Sequence, residues 1–105
     1  MRIVIVGAGN VGRSIARELT AHGHQILLID KNPKAMKPDT VPEAEWLCAD
    51  ACELATLEEA RIDNCDIAIS ATGDDKVNLV HSLLAKTEFG VPRTVARVNH
   101  PGNEW

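Results

Sequence analysis

Short apolar runs alternate along this chain with stretches in which apolar residues return every three or four positions. The runs at residues 3–6, 25–29, 45–48, 67–71 and 94–98 read as strands. Between the first two, Val11, Ile15, Ala16 and Leu19 share one face of a helix over about 11–22, with Arg13, Arg17 and Thr20 opposite and facing solvent. Gly23 follows as its C-terminal cap, and the flanking His22 and His24 read as solvated loop residues. A helix over about 53–60 leads toward strand four. Another, over about 75–88, carries Val77, Leu79, Val80, Leu83 and Leu84 on a broad apolar arc. Most of that arc is expected to pack on the sheet, any remainder being a partner surface, with His81 at its edge on the protein surface. Residues 32–42 carry Pro33, Pro38 and Pro42, and read mostly as loop with at most a short helix. Strands and helices alternating over short connections predict an α/β fold. The expectation is a Rossmann-type doubly wound parallel sheet in the order 3-2-1-4-5, with right-handed crossovers and helices on both faces.

The first strand runs straight into Gly7-Ala8-Gly9-Asn10-Val11-Gly12, where helical periodicity begins, and Asp30 ends the second strand about twenty residues on. A buried strand, a tight turn, a helix N-terminus and a carboxylate are what a dinucleotide requires, in that order. Gly7 turns the backbone off the strand, Gly9 lets a pyrophosphate approach the main chain, and Gly12 lets the helix pack against strand one. Asn10 is either a direct contact or a helix-start residue only. Asp30 suits the adenosine ribose hydroxyls and repels a 2′-phosphate, which favours NAD or NADH; the neighbouring Lys31 weakens that preference, since a cation can receive the phosphate. The strand order places Asp50, Ala51, Ala71, Thr72, Gly73 and Asp74 around the same cleft, at the carboxyl ends of the strands. Small residues at 71–73 leave room for a cofactor. Asp50, Asp74 and Asp75 also suit helix capping.

A chain of 105 residues makes one domain, and no apolar stretch approaches the length of a membrane span. A net charge of −4 without a basic stripe argues against nucleic acid as the main partner. Cys48, Cys52 and Cys65 lack the companions of a zinc set and read as free thiols in a reducing cytoplasm. There is no tyrosine, so a Tyr-x-x-x-Lys proton-transfer pair is impossible, and no nucleophile turn stands out. A non-catalytic binding domain is expected. The chain stops at Trp105 soon after strand five, and an exposed tryptophan there points to an N-terminal piece of a longer protein.

Gly7-Ala8-Gly9-Asn10-Val11-Gly12-Arg13, Leu28-Ile29-Asp30, Ala49-Asp50-Ala51, Ala71-Thr72-Gly73-Asp74-Asp75 with Asn78, and Val95-Ala96-Arg97-Val98 together resemble the TrkA N-terminal (RCK/KTN) domain family. The resemblance covers essentially the whole chain. It implies a regulatory subunit of a potassium uptake system, cytoplasmic and peripheral at the inner face of the membrane. Its partner would be a membrane potassium transporter or channel subunit, and it would assemble as a dimer or larger homo-oligomer. It implies NAD or NADH as ligand, with ATP/ADP in some branches; Asn10 stands where an arginine often lies in ATP-binding members. Position by position, Gly7, Ala8, Gly9, Asn10 and Val11 match the pyrophosphate loop, Asp30 the ribose acid, Thr72 and Gly73 the passing loop. Arg97 matches an arginine that reaches the nucleotide, a role assigned through the resemblance alone, since strand position by itself makes it a surface charge. The alternative is the cofactor domain of an NAD-dependent oxidoreductase.

Overall fold

The computed structural model describes residues 1–99. His100 and the terminal Trp105 lie outside the described residues. The strands are β1 (Arg2–Val6), β2 (Gln25–Asp30), β3 (Glu45–Cys48), β4 (Ile67–Ser70) and β5 (Arg93–Ala96). The helices are α1 (Asn10–Ala21), α2 (Leu54–Glu59) and α3 (Asp75–Thr87). All strand pairs are parallel and the order is β3-β2-β1-β4-β5, as the alternating pattern predicts. The proline-bearing stretch holds two single turns of 3-10 helix, Pro33–Ala35 and Pro38–Thr40. Gly23, at a φ of 85°, ends α1.

Central strands β1 and β2 are buried on both faces, which explains their unbroken apolar runs. Ile3, Ile5, Ile26 and Leu28 pack with Ala16 of α1 and with Val41. The Trp46 indole donates to the Val41 carbonyl at 3.2 Å, so the loop before β3 closes this face. On the other face Val4, Val6, Leu27, Ile29 and Ala68 pack with Leu57, Ile62, Ala85 and Val91. On α1, Arg17 is exposed as expected, whereas Arg13 and Thr20 are half-buried and Val11 is 37% exposed.

Helix α3 reverses the expected polarity. Its buried positions are Asp75, Asn78, His81 and Ala85, while Leu79, Val80 and Leu83 are 54%, 45% and 62% exposed. Most of the apolar arc therefore faces outward; Leu84 packs against the core and Val77 is half-buried. His81 is likewise not a surface residue but fully buried. The cause lies in what α3 covers. Beneath it are Ser70 and the polar ends of β4 and β5, which need hydrogen-bonding partners once they leave water. Ser70 Oγ and His81 Nδ1 share a hydrogen bond of 2.7 Å.

Burial pushes the His81 imidazole down from its ordinary 6.5 to about 4. The native state then binds fewer protons than the unfolded chain between those values, so this contribution to stability is present above pH 6.5 and lost as pH falls toward 4. The loss is on the order of 3 kcal/mol. Denaturant unfolding across this range should show the decline in the unmutated protein and a shallower one in His81→Gln; identical pH slopes would contradict a buried neutral imidazole.

Candidate functional site

A cleft of about 720 Å³ opens at the carboxyl ends of the strands. The glycine loop forms its floor. Gly7 holds a φ of 107°, and a Cβ there would lie 2.8 Å from the Ala71 carbonyl carbon. A Cβ on Gly12 would overlap the Gly7 carbonyl, whereas one on Gly9 meets nothing within 4 Å. Gly7 and Gly12 are thus required by packing, and Gly9 is the position that leaves the main chain open toward the cleft. Gly9 is also the N-cap of α1, and it supplies no side chain to the first-turn amides. By contrast α3 is capped by Asp74, whose carboxylate accepts from Lys76 N at 2.9 Å and Val77 N at 3.4 Å. An uncapped helix start facing a cleft offers donors and a positive dipole end to an anion.

Asp30 does two things at once. Its Oδ2 accepts from Ala8 N at 3.0 Å and its Oδ1 from Asn32 N at 2.9 Å, so the carboxylate pins the glycine loop to the end of β2. Each oxygen keeps acceptor capacity, as a carboxylate offers about four sites. Asp50, three residues before the Glu53 N-cap of α2, accepts from Cys52 N at 2.9 Å and so forms a turn rather than capping the helix. Asn10 is the first residue of α1, and its Oδ1 accepts from Arg13 Nη2 at 2.6 Å. Burial, and then the Asp50 charge, push the Cys52 thiol up, which keeps it protonated.

Gly7, Gly9, Asn10, Val11, Asp30 and Lys31 line the cleft together with Asp50, Ala51, Ala71, Thr72, Gly73, Asp74 and Arg97. Ala8 and Gly12 are buried behind the loop. The lining also takes in Val6, Ile29, Ala49, Cys52 and Val77. Val6 is the last residue of β1 and Ile29 the last but one of β2, so strand position alone points to their placement. Val77 was read only as part of the apolar arc. Among the described residues no group of three or more His, Cys, Asp or Glu gathers as a metal set.

A doubly wound parallel sheet with its cleft where the strand order reverses defines a Rossmann-type domain. The chain belongs to the TrkA-N domain family, whose profile matches residues 3–105. It is 56% identical over its whole length to the Trk system potassium uptake protein TrkA of Mycobacterium tuberculosis, covering 48% of that protein. A TrkA homolog of Methanothermobacter thermautotrophicus is 37% identical over 99% of the chain and 48% of the homolog. The chain thus spans about half the length of these relatives. Among solved structures, the Shewanella denitrificans Kef CTD in its AMP-bound form matches with a TM-score of 0.76 at 20% identity, over 90% of this chain and 57% of that one. Bordetella bronchiseptica WbmG in complex with NAD and UDP gives 0.65 at 23% identity, over 90% and 36%. At these identities the likeness is one of fold.

The glycine geometry separates packing from access. Gly12→Ala should destabilise the fold by about 1–3 kcal/mol or more, because main chain must move to admit the methyl group. Gly9→Ala should stay within about 1 kcal/mol of the unmutated protein. Thermal unfolding of the two variants checks this, and equal losses would contradict the close approach of α1 to the glycine loop.

Proposed function

We propose that this chain is the nucleotide-binding regulatory lobe of a Trk-type potassium uptake system. In this reading NAD or NADH binds in the cleft, shifts the balance between two conformations, and so gates transport. The observation that carries the proposal is the uncapped α1 terminus on the glycine loop, with the Asp30 carboxylate beside it. The pyrophosphate would sit on the first-turn amides near Gly9, Asn10 and Val11. Asp30 would receive the ribose hydroxyls, and Asp50 and Ala51 would border the adenine. Thr72, Gly73 and Arg97 would meet the remainder of the ligand. ADP or ATP is the second choice. In support, two proteins of similar fold are an AMP-bound Kef domain and WbmG in complex with NAD and UDP.

The regulatory role is favoured over catalysis by the relatives, which carry the name of the Trk potassium uptake system. No helix among the described residues is long and apolar enough to cross a membrane. On the model of its Trk-named relatives, about twice its length, the domain would act at the cytoplasmic face through a membrane transporter partner, as a homo-oligomer and as one lobe of a longer protein. The reading as an oxidoreductase cofactor domain rests on the sheet's likeness to enzymes such as WbmG, which extends to 36% of that chain.

Two measurements test the proposal. Asp30→Asn should weaken NADH binding about tenfold, the loss of one charge-assisted contact, and narrow the preference over NADPH. A variant that binds both nucleotides as the unmutated protein does would contradict the ribose role. In the full-length protein, a nucleotide that gates transport has a different affinity with and without the transporter, and the transporter shifts the NADH-to-NAD preference by the same factor by which replacing NAD with NADH changes the affinity for the transporter. Identical preferences in both cases would rule out redox sensing through this cleft.

A further inference from the structure

Asn78 is fully buried on α3, and its amide is saturated. Oδ1 accepts from Thr72 N at 3.0 Å and from Thr72 Oγ1 at 2.7 Å. Nδ2 donates to the Thr72 carbonyl at 3.1 Å and to the Arg97 carbonyl at 3.0 Å. Both anchored residues lie past the ends of their strands, β4 stopping at Ser70 and β5 at Ala96. Beyond those ends one backbone bond, Arg97 N to the Ser70 carbonyl at 2.8 Å, continues the ladder. Asn99 adds a second tie: its Nδ2 donates to the Thr72 carbonyl at 3.0 Å and to Asp75 Oδ1 at 2.8 Å. Thr72 and Arg97 both line the cleft, and Asn78 itself does not.

An ordinary core side chain at this position would fill the space but take away the Asn78 partner of the Arg97 carbonyl and of the Thr72 amide, and leave the Thr72 carbonyl to Asn99. A carboxylate would supply acceptors but no donors. Only an amide meets both demands with one planar group. We infer that Asn78 is the positioning residue of the β4–β5 wall of the cleft: it sets where the Thr72-Gly73 main chain and Arg97 meet the bound nucleotide. The inference rests on the nucleotide-binding reading. It adds that the affinity of this wall is controlled from a residue that never touches the ligand.

The test is titration calorimetry with NAD, whose pyrophosphate does not titrate near neutrality, at about pH 6 and about pH 8.5. In Asn78→Asp the acceptor bonds to Thr72 persist, but a second carboxylate oxygen faces the Thr72 and Arg97 carbonyls. Burial and those carbonyls raise the pKa of the introduced carboxyl, so at the lower pH it carries a proton and regains one donor. The titratable and charged groups around it are Asp74 at the N-cap of α3, Asp75 and His81 on α3, Arg97 just past β5, and Asp50 and Cys52 on the loop after β3. His81, pushed down to about 4, is neutral at both values. The unmutated protein, run at both, registers what the other groups contribute.

The unmutated protein should bind NAD equally at the two values. Asn78→Asp should bind about tenfold or more weakly at the higher pH and recover most of that at the lower. Asn78→Ser, whose single short hydroxyl replaces the two amide N–H donors and adds no charge, should bind weakly at both. A folded Asn78→Asp that matches the unmutated protein, or that is weak without any pH dependence, overturns the inference. If that variant does not fold, Asn78→Ser and Asn99→Ala decide. Both should weaken NAD binding, the second less, and unchanged affinity in either overturns it. Absence of NAD binding by the unmutated protein overturns the nucleotide reading itself, and this inference with it.

Discussion

The rest of the site depends on the absence of a side chain at Gly12. Because a Cβ there would overlap the Gly7 carbonyl, α1 starts in direct contact with the turn that ends β1. That contact aims the uncapped first turn of the helix along the cleft. The Asp30 carboxylate completes the clamp from the other side, holding Ala8 N and Asn32 N in its two oxygens. Packing thus fixes one edge of the glycine loop and a charge-assisted hydrogen bond fixes the other. A loop held at both edges in this way lowers the ordering cost that a ligand must offset.

Helix α3 contributes in the opposite manner. Its sheet-facing side is polar, so directional bonds from Asp75, Asn78 and His81 set its position more than apolar burial does. One end carries Asp74 and Val77, which line the cleft. Its outer face presents Leu79, Val80 and Leu83 to solvent. A change in the Thr72–Asp74 loop therefore acts on the same rigid element that bears the exposed apolar face. Under the regulatory proposal, this helix is the element through which cleft occupancy would reach a partner.

The sequence was most legible where structure is local. Unbroken apolar runs gave β1 and β2, and the glycine spacing gave the turn and the start of α1. The position of Asp30 was readable, but its bonds to Ala8 N and Asn32 N were not, since they depend on how two loops meet. Periodicity misled at α3, because it assigns apolar residues to the inside. There Leu79, Val80 and Leu83 face out, as Ser70 and the strand ends beneath the helix demand polar partners. His81 was misplaced for the same reason. Arg97 was placed at the cleft only through the family resemblance, since nothing in a strand-end arginine itself says which loop it borders.

The central claim is that the cleft holds an NAD-type nucleotide as a ligand and does not consume it. Titration of the unmutated protein with NADH, followed by recovery and spectroscopic assay of the nucleotide, tests it most directly. The account predicts saturable binding at about micromolar affinity, weaker binding of NADPH, and NADH returned unoxidised. Failure to bind, or steady oxidation of NADH in the presence of a small carbonyl compound, would contradict it.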